Sequence, residues 1–122
     1  MMVVDLKKLF SLVDPVKSPP WKEWKGGPIT KEEVLAACEK GLPKQVKQYN
    51  PLHPESRQEH VNRIAFFFKN GWEDSPLLLT FVKGLYPIYD GTHRAIAAQL
   101  QEREWVLANV EGDIKTIKSL SY

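Results

Sequence analysis

Val61, Ile64, Ala65 and Phe68 recur at the three- and four-residue spacing that gives a helix one buried face. Pro54 is expected at the first position of that helix, Glu55 in its first turn and Gly71 at its end. Upstream, Thr30 with Glu33 three residues on predicts a capping box, opening a helix over Lys31–Lys40 that stops at Gly41. Val34, Leu35 and Cys38 fall on its inner face, Cys38 as a small buried hydrophobe. Leu6, Leu9 and Phe10 predict a brief helix after a short Val3–Val4 strand, and Leu42–Tyr49 another, ended by the Asn50-Pro51 and His53-Pro54 breaks. Between the first two helices, Pro15, Pro19, Pro20, Gly26, Gly27 and Pro28 make Asp14–Pro28 a long loop carrying Trp21 and Trp24.

The period then changes. Leu77–Val82 and Leu85–Tyr89 are dense apolar runs of strand length, and Lys83-Gly84 between them predicts a hairpin turn. Ala95–Arg103 has strong helix propensity, and Trp105–Val110 reads as a last strand. Glu111–Tyr122 suits a short strand or a short helix equally. Helices come first and strands gather late around one helix, the pattern of an α+β (mixed α/β) fold, a small mixed sheet flanked by helices.

With 122 residues and a 43% apolar composition, the chain fits a single domain with a core of its own. One cysteine excludes an intramolecular disulfide and any multi-cysteine metal site. The 17 Lys and Arg against 15 Asp and Glu leave a net charge of +2, too little to bind nucleic acid by bulk charge alone. The longest apolar runs fall far short of the ~20 residues of a membrane-spanning helix. Asp5, Lys7 and Lys8 interrupt any secretory signal, so the chain reads as cytoplasmic, with no membrane partner.

The chemistry concentrates in Tyr86–Asp113, which reads strand, tight turn, helix, strand. Gly91 lets the chain bend at the end of the strand, and Thr92 is expected to cap the helix. The first N–H groups of that helix lack intrahelical acceptors and sit at the positive end of its dipole, a setting that attracts phosphate. Gly91, Thr92, His93 and Arg94 are the phosphate-binding candidates, with Arg94 supplying a cationic fork. Asp90 would repel phosphate by itself, so its use is to hold a divalent metal or to act as a base. Asp90, His93 and Arg94 are therefore the catalytic candidates. On spacing alone, the same turn also reads as an ordinary helix start, with His93 and Arg94 solvated.

The run DGTHRAIAAQLQEREWVLANV, Asp-Gly-x-His-Arg opening an alanine-rich helix before a strand, resembles the ParB/sulfiredoxin superfamily. Ser75-Pro76-Leu77-Leu78-Leu79 resembles the strand that precedes this box in the family. The likeness covers residues 55–113, and it implies one ParB/sulfiredoxin-like domain over 1–122, with 14–50 as a family-specific insertion or helical extension. It implies that the box holds nucleotide phosphates. Sulfiredoxins place their catalytic cysteine where Thr92 stands, so peroxiredoxin repair does not carry over. The residues after Val110 hold neither the helix-turn-helix nor the dimerisation domain of chromosome-segregation relatives. The free-serine kinases of the superfamily have a similar box but need a glutamate base that has no clear counterpart here.

The resemblance and the turn together imply a nucleotide- or nucleic-acid-phosphate-binding protein. Its expected ligands are ATP or another nucleoside triphosphate with Mg2+, held at Asp90, and DNA. The reaction class is NTP hydrolysis or phosphodiester cleavage. The alternatives are a non-catalytic DNA- or protein-binding regulator and a small-molecule kinase. Other clusters are weaker. His53, His60 and His93 form a metal site only if Pro54 allows it. Arg57, His60 and Arg63 read as a solvated helix face rather than a cationic wall. Trp21 and Trp24 with Lys17, Lys22 and Lys25 suit either base stacking or pinning of the loop. Phe66, Phe67 and Phe68 cannot all be buried by one helix, and Glu73 with Asp74 is a minor metal candidate.

Overall fold

Most helices of this chain begin on a side chain that satisfies their first amides. The structure is a computed structural model that describes residues 1–22, 24–45, 55–72 and 75–122. Strand β1 (Met2–Asp5) runs directly into α1 (Leu6–Leu12), whose Lys8 amide donates to Asp5. Helix α2 (Lys31–Glu39) carries the full Thr30–Glu33 capping box, and Gly41 follows its C-cap Lys40 at φ 69°. Helix α3 (Arg57–Asn70) opens on a second box, Ser56 with Glu59, and ends at Gly71 as expected. Its first helical residue is thus Arg57, so Glu55, expected in the first turn, lies before the cap and Glu59 takes that place; Pro54, His53 and the helix expected over Leu42–Tyr49 fall wholly or partly outside the described residues. Strands β2 (Leu77–Phe81) and β3 (Ile88–Asp90) lead to α4 (Thr92–Leu100), β4 (Trp105–Gly112) and α5 (Ile114–Ser119). The ambiguous last stretch thus combines both forms: Glu111 and Gly112 end β4, α5 follows with Asp113 capping the Thr116 amide, and Ser121 bridges back to Val4.

The sheet order is β1-β4-β2-β3. β4 pairs antiparallel with β1 and parallel with β2, and β3 closes the edge antiparallel to β2. The β2–β3 hairpin is wider than its apolar runs suggest. Val82 and Leu85 are exposed, and Gly84 (φ 88°) forms a turn there. Pro87 lacks the N–H a second strand would need and contributes only its carbonyl, which accepts from Thr80.

Helix α4 organises the interior. Residues His93–Ala98 are all buried. Ala95 and Ala98 join a core with Leu77, Leu79, Val106 and Ala108 of the sheet. Ile96 and Ala97 face a second core with Val34 of α2 and Val61, Ile64 and Ala65 of α3. Three alanines allow this close approach on two sides, because a larger side chain would have no space in a close-packed interior. The fold is α+β, with helices α3 and α2 stacked in turn beyond α4. Leu35, expected inside, is exposed, and Ala37 takes the inner position of α2. No described helix is long and apolar enough to cross a membrane.

Arg57 ties the Pro/Trp loop and α2 to α3. Its Nε donates to Glu33 Oε2 at 3.0 Å and Nη2 to Oε1 at 2.7 Å, while the carbonyls of Gly27 and Pro28 also accept from it. This guanidinium holds the Glu33 carboxyl below its usual pKa. A depressed folded-state pKa means that the pair stabilises at neutral pH and that this stability is lost as pH falls below about 4.3. We expect Glu33→Gln to cost about 1 kcal/mol at pH 7, limited by solvent screening of a half-buried pair. Urea unfolding at pH 7 and pH 3 checks this, because the gap between wild type and variant should shrink in acid.

Candidate functional site

Glu55, one face of α3 (His60, Arg63, Phe66, Phe67) and the amino end of α4 line one cleft of about 850 Å3. Glu55, immediately before the Ser56 cap, turns inward, and its side chain is 10% exposed. Arg63 of α3 donates to its Oε1. The other oxygen, Oε2, is buried with no partner among the described residues. It lies 3.9 Å from His60 Nδ1. His60 Nδ1 in turn stands 2.9 Å from His93 Nε2, so one imidazole donates to the other. Burial, reinforced by the Arg63 charge, pushes the His60 pKa down to about 4 and that of His93 well below its usual value. Both rings are therefore neutral at pH 7. Trp21 covers them, stacked on His60 at 3.7 Å between ring centroids and on His93 at 4.9 Å. Trp24 packs edge-on against Trp21 and donates to the Gly27 carbonyl.

The turn before α4 departs from the expected cap. Gly91, not Thr92, is the N-cap, at φ 107° and ψ 24°, and no side chain bonds the first amides. Helices α1, α2, α3 and α5 all have such a side-chain cap. A Cβ on Gly91 would stand 2.5 Å from Leu77 Cδ2 and 2.9 Å from Arg94 Nη2. Backbone and core meet here at a distance that only glycine permits.

Arg94 is buried, and its Nη1 is fully engaged, donating to Ser75 O at 2.7 Å, Ser75 Oγ at 2.8 Å and Pro76 O at 3.3 Å. Its Nη2 lies 3.5 Å from Asp90 Oδ2. The guanidinium thus fastens the segment before β2 to α4 through Nη1, while Nη2 faces Asp90. Asp90 remains largely exposed at the cleft wall, as does Tyr89.

All the predicted site residues, Asp90, Gly91, Thr92, His93 and Arg94, line this cleft. The alternative reading of His93 and Arg94 as solvated first-turn residues fails, since both are buried. His60, expected on a solvated face, is buried too, and Arg63 forms part of the cleft wall. Of the three histidines of the chain, His60 and His93 meet; His53 lies outside the described residues, as do Glu73 and Asp74. Glu55 completes the cluster with the two rings, a residue that no motif marks because it precedes the helix cap. Phe66 and Phe67 face the cleft with Trp72, so the phenylalanine run is divided between cleft and core. The Trp21 ring is committed to the histidines, with Lys17, Lys22 and Lys25 exposed around the loop. Set beside known protein families, curated proteins and solved structures, the chain matches none of them.

Proposed function

We propose that this cleft binds a nucleoside triphosphate, or a phosphate of nucleic acid, together with a divalent cation, and hydrolyses it. The observation that carries this reading is the uncapped amino end of α4 opening into the cleft. Its orphan amides are donors in search of acceptors, and phosphate oxygens fit them. Asp90 and Glu55 line the same space, so an anion enters only with a cation beside it. Asp90, exposed at the wall, holds the Mg2+ that accompanies the phosphate. Phe66, Trp72 and Tyr89 offer ring faces for a base. At the other end the neutral imidazoles of His60 and His93 position the attacking water by hydrogen bonds. The Asp-Gly-x-His-Arg box and the strand–turn–helix setting support a ParB/sulfiredoxin-like reading of the domain. One observation favours the non-catalytic regulator as a second reading: Nη1 of Arg94, which would help stabilise a transferring phosphoryl group, is engaged with Ser75 and Pro76, and Nη2 faces Asp90.

Thermal melts with ATP, ADP, CTP, GTP and a short DNA, each with and without Mg2+, test this. A ligand at ~100 times its Kd adds about 2.7 kcal/mol, a rise of several degrees. We expect a Mg2+-dependent rise with a nucleotide, accompanied by phosphate release that Asp90→Asn abolishes while the fold is retained. A rise without release selects the regulator. No rise with any nucleotide or DNA overturns the phosphate reading.

A further inference from the structure

From the geometry of Glu55, His60 and His93 we infer that the floor of the cleft is a binding site for a zinc-class divalent transition metal, with one coordination position open to the cleft. This rests on those three side chains and stands whether or not the cleft takes a phosphate ligand. Their donor atoms, His60 Nδ1, His93 Nε2 and a Glu55 carboxylate oxygen, lie within 4.8 Å of one another. For metal–ligand bonds of about 2.0–2.1 Å, tetrahedral donor atoms stand roughly 3.3 Å apart. The observed 2.9 Å between the two nitrogens and 3.9 Å from Nδ1 to the carboxylate bracket that separation. Small side-chain adjustments admit an ion among them.

Three further features point to a ligand rather than to a plain buried hydrogen bond. Glu55 Oε2 is nine-tenths buried with its side chain, has no partner among the described residues, and faces the imidazole pair. An unpaired buried carboxylate oxygen is costly, and a cation removes the cost. Arg63 holds the other oxygen, which fixes the carboxylate orientation as an outer partner of a metal site does. Trp21 lies flat over both rings and locks their planes. Two imidazoles and one carboxylate suit zinc and its neighbours, not Mg2+, which prefers oxygen and keeps its waters. Three protein ligands beside an open cleft are the arrangement of a site that binds water or substrate in its last position.

Chelator-treated protein, free of nucleotide, is titrated with Zn2+ by calorimetry and with Co2+ by visible absorption. Intrinsic tryptophan fluorescence, to which Trp21 over the two rings contributes, provides a readout that needs no substitution. We expect one ion per chain, a cobalt spectrum typical of four-coordination, a fluorescence change and a raised Tm. Glu55→Gln and His60→Ala, each shown folded by circular dichroism, should weaken binding by roughly a hundredfold or more, and Arg63→Met by roughly ten- to a hundredfold. Cys38→Ser should bind as wild type does. Wild-type protein with no fluorescence, calorimetric or cobalt signal overturns the proposal. So does binding that survives intact in folded Glu55→Gln and His60→Ala. Should those variants fail to fold, the wild-type cobalt spectrum decides. Because nucleotide melts use Mg2+ alone and metal titrations use no nucleotide, either reading can fail without the other.

Discussion

Gly91→Ala is expected to destabilise the protein by about 2–4 kcal/mol, lowering Tm by roughly 10 °C. Two costs combine. The left-handed backbone at φ 107° is one that alanine adopts only under strain. The added methyl would also meet Leu77 Cδ2, and Leu77 is fully buried beneath α4 with no room to swing aside. Relief by moving α4 outward displaces Arg94 and loosens its grip on Ser75 and Pro76. The variant should therefore lose stability and cleft geometry together. Urea unfolding measures the first, and the nucleotide and zinc responses of the residual folded protein measure the second. Stability within about 0.5 kcal/mol of wild type would show that the turn relaxes freely.

Gly112→Ala should cost a similar amount for a different reason. Gly112, at φ 109°, pairs with Phe81 at the end of the parallel β2–β4 ladder. A Cβ there would come within 2.6 Å of the Phe81 carbonyl carbon and 2.8 Å of its amide nitrogen. Backbone cannot rotate away as a side chain can, so the last rung must open and take with it the Asp113 amide bond to Phe81. About 2–4 kcal/mol is expected. The damage lies at the opposite end of β2 from Ser75, so folded Gly112→Ala should bind zinc as wild type does. The two glycines thus separate loss of fold from loss of site in a single experiment. Equal zinc affinity in both folded variants would mean that the Gly91 turn does not shape the cleft.

How far the sequence discloses this molecule depends on where the information lies. Capping boxes are local, and both Thr30–Glu33 and the end at Gly71 are legible as written. Strand ends are less so: Leu85 looks like strand, but Pro87 delays pairing until Ile88. The Asp90–Arg94 turn stands out because glycine between a strand and a helix is a local signal. The other half of the cleft does not. His60 on its helix looks like part of a polar stripe with Arg57 and Arg63, and only the approach of α4 and of Trp21 from the loop buries it. Glu55 and His93 are far apart in the chain, and their meeting is a property of the packing of α3 on α4, which no spacing rule encodes. Thr92 misleads for a simpler reason. It is a good cap residue, yet Gly91 already occupies the cap position.

One of the two inner strands of the sheet, β4, is also the last to be made. Residues 2–5 pair with residues 105–108, and Asp5 and Val3 are bonded further to Leu120 and Tyr122. Contacts this distant along the chain make folding slow, because a long loop must close before any of them is rewarded. During synthesis β1 emerges first and has no neighbour until β4 leaves the ribosome. Every residue that lines the cleft, from Trp21 to Arg94, has by then been made. A nascent chain halted before Trp105 would carry all the chemistry of the site and lack the strand against which α4 is seated.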